Sequence, residues 1–209
     1  MSRKIYLLFK RVSDILVSLI GVVILLPFNL TIAIAIKVLM PGPIFFLQER
    51  IGKNGKKFMI VKYRSMKVDK SLENRIDTSK DIERTTRLGK ILRRTKIDEI
   101  PQLLNVLMGD MSLIGPRPTI ERQVKKYTVE QMHRLDLKPG MTGLAQVSGG
   151  TKILWEERIN IDLKYIEEAS IILDIKILYK TVLTVIKGWN WGLIWKKQLF
   201  YVEQDRILI

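Results

Sequence analysis

The chain predicts an α/β fold that is mostly helix, with a re-entrant membrane helix hairpin at its N-terminus, interfacial amphipathic helices and one small extended, β-forming region. Three observations predict it. An uncharged apolar run over residues 15–36 is broken by Pro27, an alternating stretch, FMIVKY, follows a glycine turn, and apolar residues recur at helical spacing over much of the remainder. A length of 209 residues suits one domain with a short appendage.

No charge occurs from Ile15 to Ile36, a run of 22 residues flanked by Asp14 and Lys37. As one helix it would reach roughly 33 Å, enough to cross a hydrocarbon core of about 30 Å. Pro27 argues against one straight span, because a mid-helix proline frees the carbonyl four residues back and forces a kink, and Asn29 adds an amide that needs a partner in hydrocarbon. Lys10 and Arg11 precede the run, and Lys37, Arg50 and Lys53 follow it, so both flanks favour the cytoplasmic side. Two half-helices of about 12 residues, each roughly 18 Å long, would enter and leave by one face and reconcile the break with the charges. A single Pro-kinked span is the alternative, since bilayers tolerate such kinks. The run is too long for the apolar core of a signal peptide, and no small-residue cleavage pattern follows it.

Beyond the run, PGPIFFLQERIGKNGKKFMIVKY reads as a turn and then a β-hairpin or two short extended pieces, over roughly residues 44–63. Residues 67–84 are polar and without periodicity, which suits a surface loop. RLGKILRRT, residues 87–95, is helical, and so is DEIPQLLNVLMGD, residues 98–110, with Gly109 as its stop. Pro101 is comfortable only in a first turn, which places the helix start at Asp98. A glycine- and proline-punctuated stretch follows, and from Trp155 to about Gly188 the pattern is again mainly helical. The tail, residues 189–209, interleaves Trp189, Trp191 and Trp195 with lysine; it suits a headgroup-level segment, with ordinary core tryptophans as the alternative. The organisation predicted is a hairpin over 1–40, a main body over 41–188 and this tail.

Composition narrows the chemistry. With 36 Lys and Arg against 21 Asp and Glu, the net charge of +15 favours a polyanionic partner: nucleic acid, anionic lipid or a phosphorylated substrate. The absence of cysteine removes disulfides, thiolate metal sites and a cysteine nucleophile. His133 is the one histidine, and QMHRLDLKPG reads as a helix end running into a turn, so a histidine-based triad has little material. Catalysis would then rest on carboxylates, Lys, Arg, hydroxyls and a hard metal ion.

Asp98 and Glu99 are adjacent carboxylates beside a dense basic set, Arg87, Lys90, Arg93, Arg94 and Lys96. Such a pair at a helix start suits a phosphate-handling site, and it equally suits an N-cap with a solvated basic face. IGPRP holds Arg117 between two prolines that limit where its guanidinium points, which fits either anion recognition or a rigid structural loop.

Taken in order, Lys10 and Arg11, the Pro-broken run, GPIFFLQERIGKNGKKFMIVKYRSM, LRRTKIDEIPQLLNVLMGDMSLIGPRP and LKPGMTGLAQVSG resemble the bacterial sugar transferase family, the monotopic phosphoglycosyltransferases. The resemblance runs from about Lys10 to about Thr184 and is to the minimal form carrying only the catalytic domain. It implies transfer of sugar 1-phosphate from a UDP-sugar to undecaprenyl phosphate at the cytoplasmic face of the bacterial plasma membrane, the first membrane step of surface glycan synthesis. It implies that Asp98 is the nucleophile of a covalent aspartyl-phosphosugar intermediate, that Asp98 and Glu99 hold Mg²⁺, and that Glu99 is catalytic either through that ion or by handling protons. Arg93 matches the family arginine before the pair, and Arg117 the Pro-Arg-Pro arginine. Arg94 and Lys62 are further candidate substrate-binding cations. Pro27, Asn29, Lys10 and Arg11 would define the hairpin in one leaflet. A homodimer and contact with downstream glycosyltransferases are compatible with this reading, and no nucleic acid is expected.

Two departures stand out. Leu26 replaces the Ser or Asp common before the hairpin proline, leaving Asn29 to satisfy the freed backbone. Ser148, Gly149 and Gly150 stand where many relatives have Asn-Gly-Arg, which removes an arginine that would touch substrate. A membrane-tethered scaffold without activity, or a polyanion binder, is the competing reading; either leaves the carboxylate pair without a purpose.

Overall fold

A computed structural model describes residues 2–67 and 84–186. The predicted surface loop therefore lies almost wholly, and the tryptophan tail wholly, outside the described residues.

Helix α1 spans Arg3–Ile24 and α2 spans Leu26–Leu39, and their axes bend by 62° at the break. Pro27 sits in the first turn of α2, where its missing N–H costs no helical bond, so the proline ends one helix and begins the next. The helices are 22 and 14 residues long rather than about 12 each, because the basic N-terminal segment is itself helical and adds roughly three turns ahead of the apolar run. Asn29 does not serve the freed backbone. Its Oδ1 accepts a 2.9 Å hydrogen bond from Tyr63, while the Thr31 hydroxyl donates to the Pro27 carbonyl at 3.1 Å. Among the described residues no single helix is long and apolar enough to cross a membrane, although the bent pair together meets that test by length and composition. Leu16, Ile24, Leu26, Leu30, Val38 and Leu39 are each more than half exposed, an apolar surface far beyond what scattered residues explain.

Lys10 and Arg11, expected as flanking charges of the hairpin, dock α1 onto the body. Lys10 pairs with Asp174 at 2.7 Å, and Arg11 donates to the carbonyls of Val106 and Leu107 at 2.6 and 2.9 Å. Those carbonyls end helix α4, Gln102–Met108, where a cation satisfies otherwise orphaned acceptors. Asp14 accepts from the Leu113 amide at 2.9 Å. At the other end, buried Arg64 donates to the Met40 and Pro41 carbonyls at the C-terminus of α2. Both ends of the bent pair are thus tied to one body.

Strands β1, Phe45–Ile51, and β2, Lys57–Tyr63, form the predicted antiparallel hairpin, paired Phe45 to Tyr63 and Ile51 to Lys57. The turn between them uses the left-handed conformations of Asn54 and Gly55. Helix α3, Arg87–Thr95, has the predicted bounds, with the Thr86 side chain capping the Gly89 amide. Gly109, at φ 92°, ends α4 as predicted. A parallel pair of short strands, β3, Ser112–Ile114, and β4, Gly140–Thr142, lies within the stretch read only as glycine- and proline-rich. The pair needs its glycines: a Cβ on Gly140 would lie 2.1 Å from the Gly115 amide nitrogen. The C-terminal helical region divides into α5, Trp155–Glu168, and α6, residues 171–186, broken at Ala169 and Ser170.

Two core clusters position the rest. Phe58, Ile60, Val106 and Met111 pack α4 under the hairpin, and Ile114, Leu137, Tyr165, Ile166 and Ile177 hold α5 and α6 behind β3. Fully buried Asn105 locks α4 to β2: its Oδ1 accepts from the Val61 amide at 3.0 Å and its Nδ2 donates to the Met59 carbonyl at 2.8 Å. Architecture and composition together are those of a mostly helical α/β chain.

Candidate active site

The helix carrying the carboxylate pair does not begin at Asp98. Lys96 adopts a left-handed conformation, φ 62°, that turns the chain out of α3, and Ile97–Glu99 then form a single 3-10 turn closed by the Ile100 amide on the Ile97 carbonyl at 3.1 Å. Pro101 stands just before the first residue of α4. The turn points Asp98 and Glu99 inward, Asp98 being only 8% exposed. The Asp98 Oδ1 is buried without a hydrogen-bond partner among the described residues.

Glu99 faces a basic cleft. Its Oε1 accepts from the Lys62 Nζ at 2.8 Å and lies 3.9 Å from the Arg117 Nη2. Arg50 joins Lys62 and Arg117 as a third cation of the lining, while Gln102 and, from β4, Met141 close the wall. Arg50 and Lys62 share a face of the hairpin: the register sets Arg50 opposite Phe58 and Phe46 opposite Lys62, an even number of residues apart along each strand. The cleft is thus assembled from β1, β2, the 3-10 turn, α4, the loop after β3, and β4.

The electrostatics separate the two carboxylates. Burial, and next the adjacent Glu99, push Asp98 above the ordinary aspartate value, against the opposing pull of Lys62, Lys96 and Arg93. Burial also penalises the Glu99 carboxylate, but Lys62, Arg117 and Lys96 outweigh it and hold Glu99 at about 2. Burial lowers Lys62, opposed chiefly by Glu99, and burial together with Arg117 lowers Arg50 to about 10. Glu99 is firmly anionic and paired, whereas Asp98 is destabilised as an anion and its Oδ1 has no hydrogen-bond partner among the described residues.

Of the residues predicted from sequence, Glu99, Lys62 and Arg117 come together in the cleft, and Asp98 lies directly beside it. Arg93 and Arg94 are exposed on α3 and line no part of the cleft; Arg93 donates to the Thr85 hydroxyl at 3.4 Å, its charge still felt at Asp98. His133 is an exposed turn residue paired with Asp136 at 3.0 Å. Arg50 and Gln102 were not singled out from sequence as site residues. The signal for Arg50 was the strand alternation that puts it on the face of Lys62; for Gln102 it was its place three residues after Glu99, one helical turn on.

Among the described residues no three His, Cys, Asp or Glu side chains converge as a metal cage. Magnesium seldom uses one: it keeps several waters and takes one or two carboxylates plus substrate phosphates. The unpartnered Asp98 Oδ1 and the neighbouring Glu99 fit that smaller donor set.

Residues 5–188 match the family described as bacterial sugar transferase. The chain belongs to the bacterial sugar transferase family. Over 192 residues it is 42% identical to a protein of Klebsiella pneumoniae named UDP-glucose:undecaprenyl-phosphate glucose-1-phosphate transferase, covering 88% of this chain and 41% of that one. It is 40% identical over 193 residues to an Aeromonas hydrophila UDP-N-acetylgalactosamine-undecaprenyl-phosphate N-acetylgalactosaminephosphotransferase, covering 89% of this chain and 45% of that one. An exopolysaccharide production protein of Rhizobium leguminosarum bv. phaseoli, PSS, is 41% identical over 194 residues, covering 85% of this chain and 95% of that one. The chain therefore spans less than half the length of the first two of these bacterial sugar transferase relatives and nearly the whole of the third.

Proposed function

We propose that this chain is a phosphoglycosyltransferase that moves sugar 1-phosphate from a UDP-sugar to undecaprenyl phosphate, releasing UMP and forming the polyprenyl diphosphate-linked sugar. The names of the relatives support the reaction class and, by naming both glucose and N-acetylgalactosamine donors, leave the sugar open. The observation that carries the reading is the buried, unpartnered Asp98 carboxylate oxygen beside a cleft lined by Arg50, Lys62 and Arg117.

In the proposed reaction an Asp98 oxygen attacks the phosphorus that bears the sugar. The bond from that phosphorus to the bridging oxygen breaks, and UMP leaves with the electron pair. The resulting acyl phosphate is resolved when an oxygen of undecaprenyl phosphate attacks the same phosphorus, breaking its bond to Asp98 and restoring the carboxylate. Arg117, Lys62 and Arg50 offset the charge of the diphosphate as one anion approaches another, and Arg117 supplies a planar fork for phosphate oxygens. Magnesium held by Asp98 and Glu99 would supply further charge neutralisation. Glu99, kept anionic by Lys62, would hold that ion together with Asp98.

The anchor fits this chemistry. α1 is tied to the body at Lys10, Arg11 and Asp14 and α2 at Asn29, Met40 and Pro41, so in this reading the exposed apolar bend between them enters one leaflet from the side of the body. An acceptor phosphate at headgroup level then meets the cleft without leaving the bilayer. We place that side at the cytoplasmic face because the basic flanks favour it. The test is UMP release by the detergent-solubilised protein with undecaprenyl phosphate, Mg²⁺ and a panel of UDP-sugars, beside Asp98→Asn. Release with a particular sugar, absent in the variant, supports the assignment; undiminished release by Asp98→Asn overturns it.

A further inference from the structure

Arg134 lies far from the cleft in sequence, yet it reaches the backbone of the residue that guards it. It sits in the 3-10 turn His133–Leu135 and is 4% exposed, an unusual place for a guanidinium. Its Nε and Nη2 bind the Asp162 Oδ2 of α5 at 2.8 and 2.7 Å, Asp162 being 1% exposed. Nη1 donates to the Tyr127 hydroxyl, and the guanidinium plane lies 5.7 Å from the Trp155 ring centroid. With the remaining donor capacity of Nη2 it binds the Arg117 carbonyl at 3.1 Å. Every side of this cation is held, so the carbonyl it grips is held as well.

The loop it grips is already stiff. Pro116 and Pro118 restrict the backbone on either side of Arg117, and the Gly140 amide donates to the Pro116 carbonyl at 2.8 Å. The Arg117 side chain itself is 47% exposed and 3.9 Å from Glu99, too loosely paired there to fix its own direction. Its aim into the cleft depends on its backbone.

We propose that Arg134, locked by Asp162, is a positioning residue: by holding the Arg117 carbonyl it fixes the direction in which the Arg117 guanidinium enters the cleft and meets the diphosphate. This rests on the cleft being a nucleotide-diphosphate site, as proposed above. The alternative is a buried ion pair that only stabilises α5, and the two differ in whether Arg134 acts through Arg117.

Removing Arg134 alone would strand a buried Asp162, so the test replaces the pair with apolar groups, Arg134→Met with Asp162→Leu, which leaves no unpaired charge. UDP affinity is measured by titration calorimetry for wild type, Arg117→Ala, the paired variant and the combination of all three changes, so that the readout needs no turnover. Arg117→Ala and the paired variant are each expected to weaken UDP binding by roughly tenfold, the scale of one charge-assisted hydrogen bond. The combination should be no weaker than Arg117→Ala alone, because the contact that Arg134 positions is already gone. A combined loss equal to the product of the separate losses, a paired variant that binds as wild type, or a wild type that ignores UDP each overturns the proposal. UMP release by the same proteins separates it from the reading it rests on. The expected non-additive affinities without any UMP release would sink the transferase and keep the positioning role, whereas release with independent losses would do the opposite.

Discussion

Lys62→Met isolates the ion pair that keeps the cleft's acidic residue charged. In the wild type the Lys62 Nζ lies 2.8 Å from the Glu99 Oε1, with side chains 18% and 15% exposed, so solvent screens little of the attraction. Holding Glu99 at about 2 instead of its ordinary 4.5 corresponds to about 3 kcal/mol of folding stability at neutral pH. That figure is a ceiling for the substitution, because Arg117 and Lys96 remain and burial of the Lys62 ammonium, itself unfavourable, is relieved. A net loss of about 2 kcal/mol is expected, or roughly 4–8 °C in Tm for a domain of this size. Thermal unfolding in one detergent, followed by circular dichroism, measures it. The sign with pH is set: a depressed carboxylate contributes its stability above 4.5 and loses it as the pH falls toward 2, so the gap between wild type and variant should close over that interval. Adding Glu99→Gln to Lys62→Met should restore most of the loss, since the stranded charge is removed. A Tm for Lys62→Met within about 1 °C of wild type, or a double variant less stable than the single one, would refute the reasoning.

Asp98→Asn should end UMP release and raise Tm at pH 7: a carboxylate pushed upward by burial costs stability once ionised, from its ordinary 3.8 up through its raised value, and the amide removes that cost. A lower Tm in Asp98→Asn would contradict the claim that this side chain is electrostatically strained. The same raised value predicts that the acid limb of the UMP-release profile in wild type lies above the ordinary aspartate range, read from rate against pH. Asn105→Ala strands the Val61 amide and the Met59 carbonyl and should cost about 2–4 kcal/mol in thermal unfolding; an unchanged Tm would mean that the α4–β2 lock is dispensable. In this chain without cysteine, Ser2→Cys should be labelled from the same side of a sealed vesicle as Lys126→Cys on the body, and labelling from opposite sides would refute the same-face anchor.

Much of this was legible where local chemistry dominates. Pro27 broke the apolar run where a proline must, the Lys-Asn-Gly turn set the hairpin, and Gly109 marked a helix end by its capping chemistry. What escaped depends on contacts distant in the chain. β3 and β4 are three residues each, too short to show alternation, and they pair across a separation in sequence that no periodicity encodes. The 3-10 turn at Ile97–Glu99 follows from Lys96 turning left-handed, a conformation that lysine seldom announces. Lys10 and Arg11 read equally well as topology charges and as docking residues until Asp174 and the Val106 carbonyl are seen beside them. The carboxylate pair was evident as a pattern, yet the features that make Asp98 a candidate nucleophile, its burial and its unpartnered oxygen, belong to packing alone.

The covalent role of Asp98 is tested most directly by leaving out the lipid acceptor. The protein is mixed with a UDP-sugar that it turns over and Mg²⁺, without undecaprenyl phosphate, quenched in acid and examined by intact and peptide mass spectrometry. The account predicts about one equivalent of UMP per protein, a mass gain of one sugar phosphate on the peptide containing Asp98, and neither in Asp98→Asn. No adduct and no UMP until the lipid phosphate is added, from a protein that then turns over normally, would mean direct transfer between the two substrates and would contradict it.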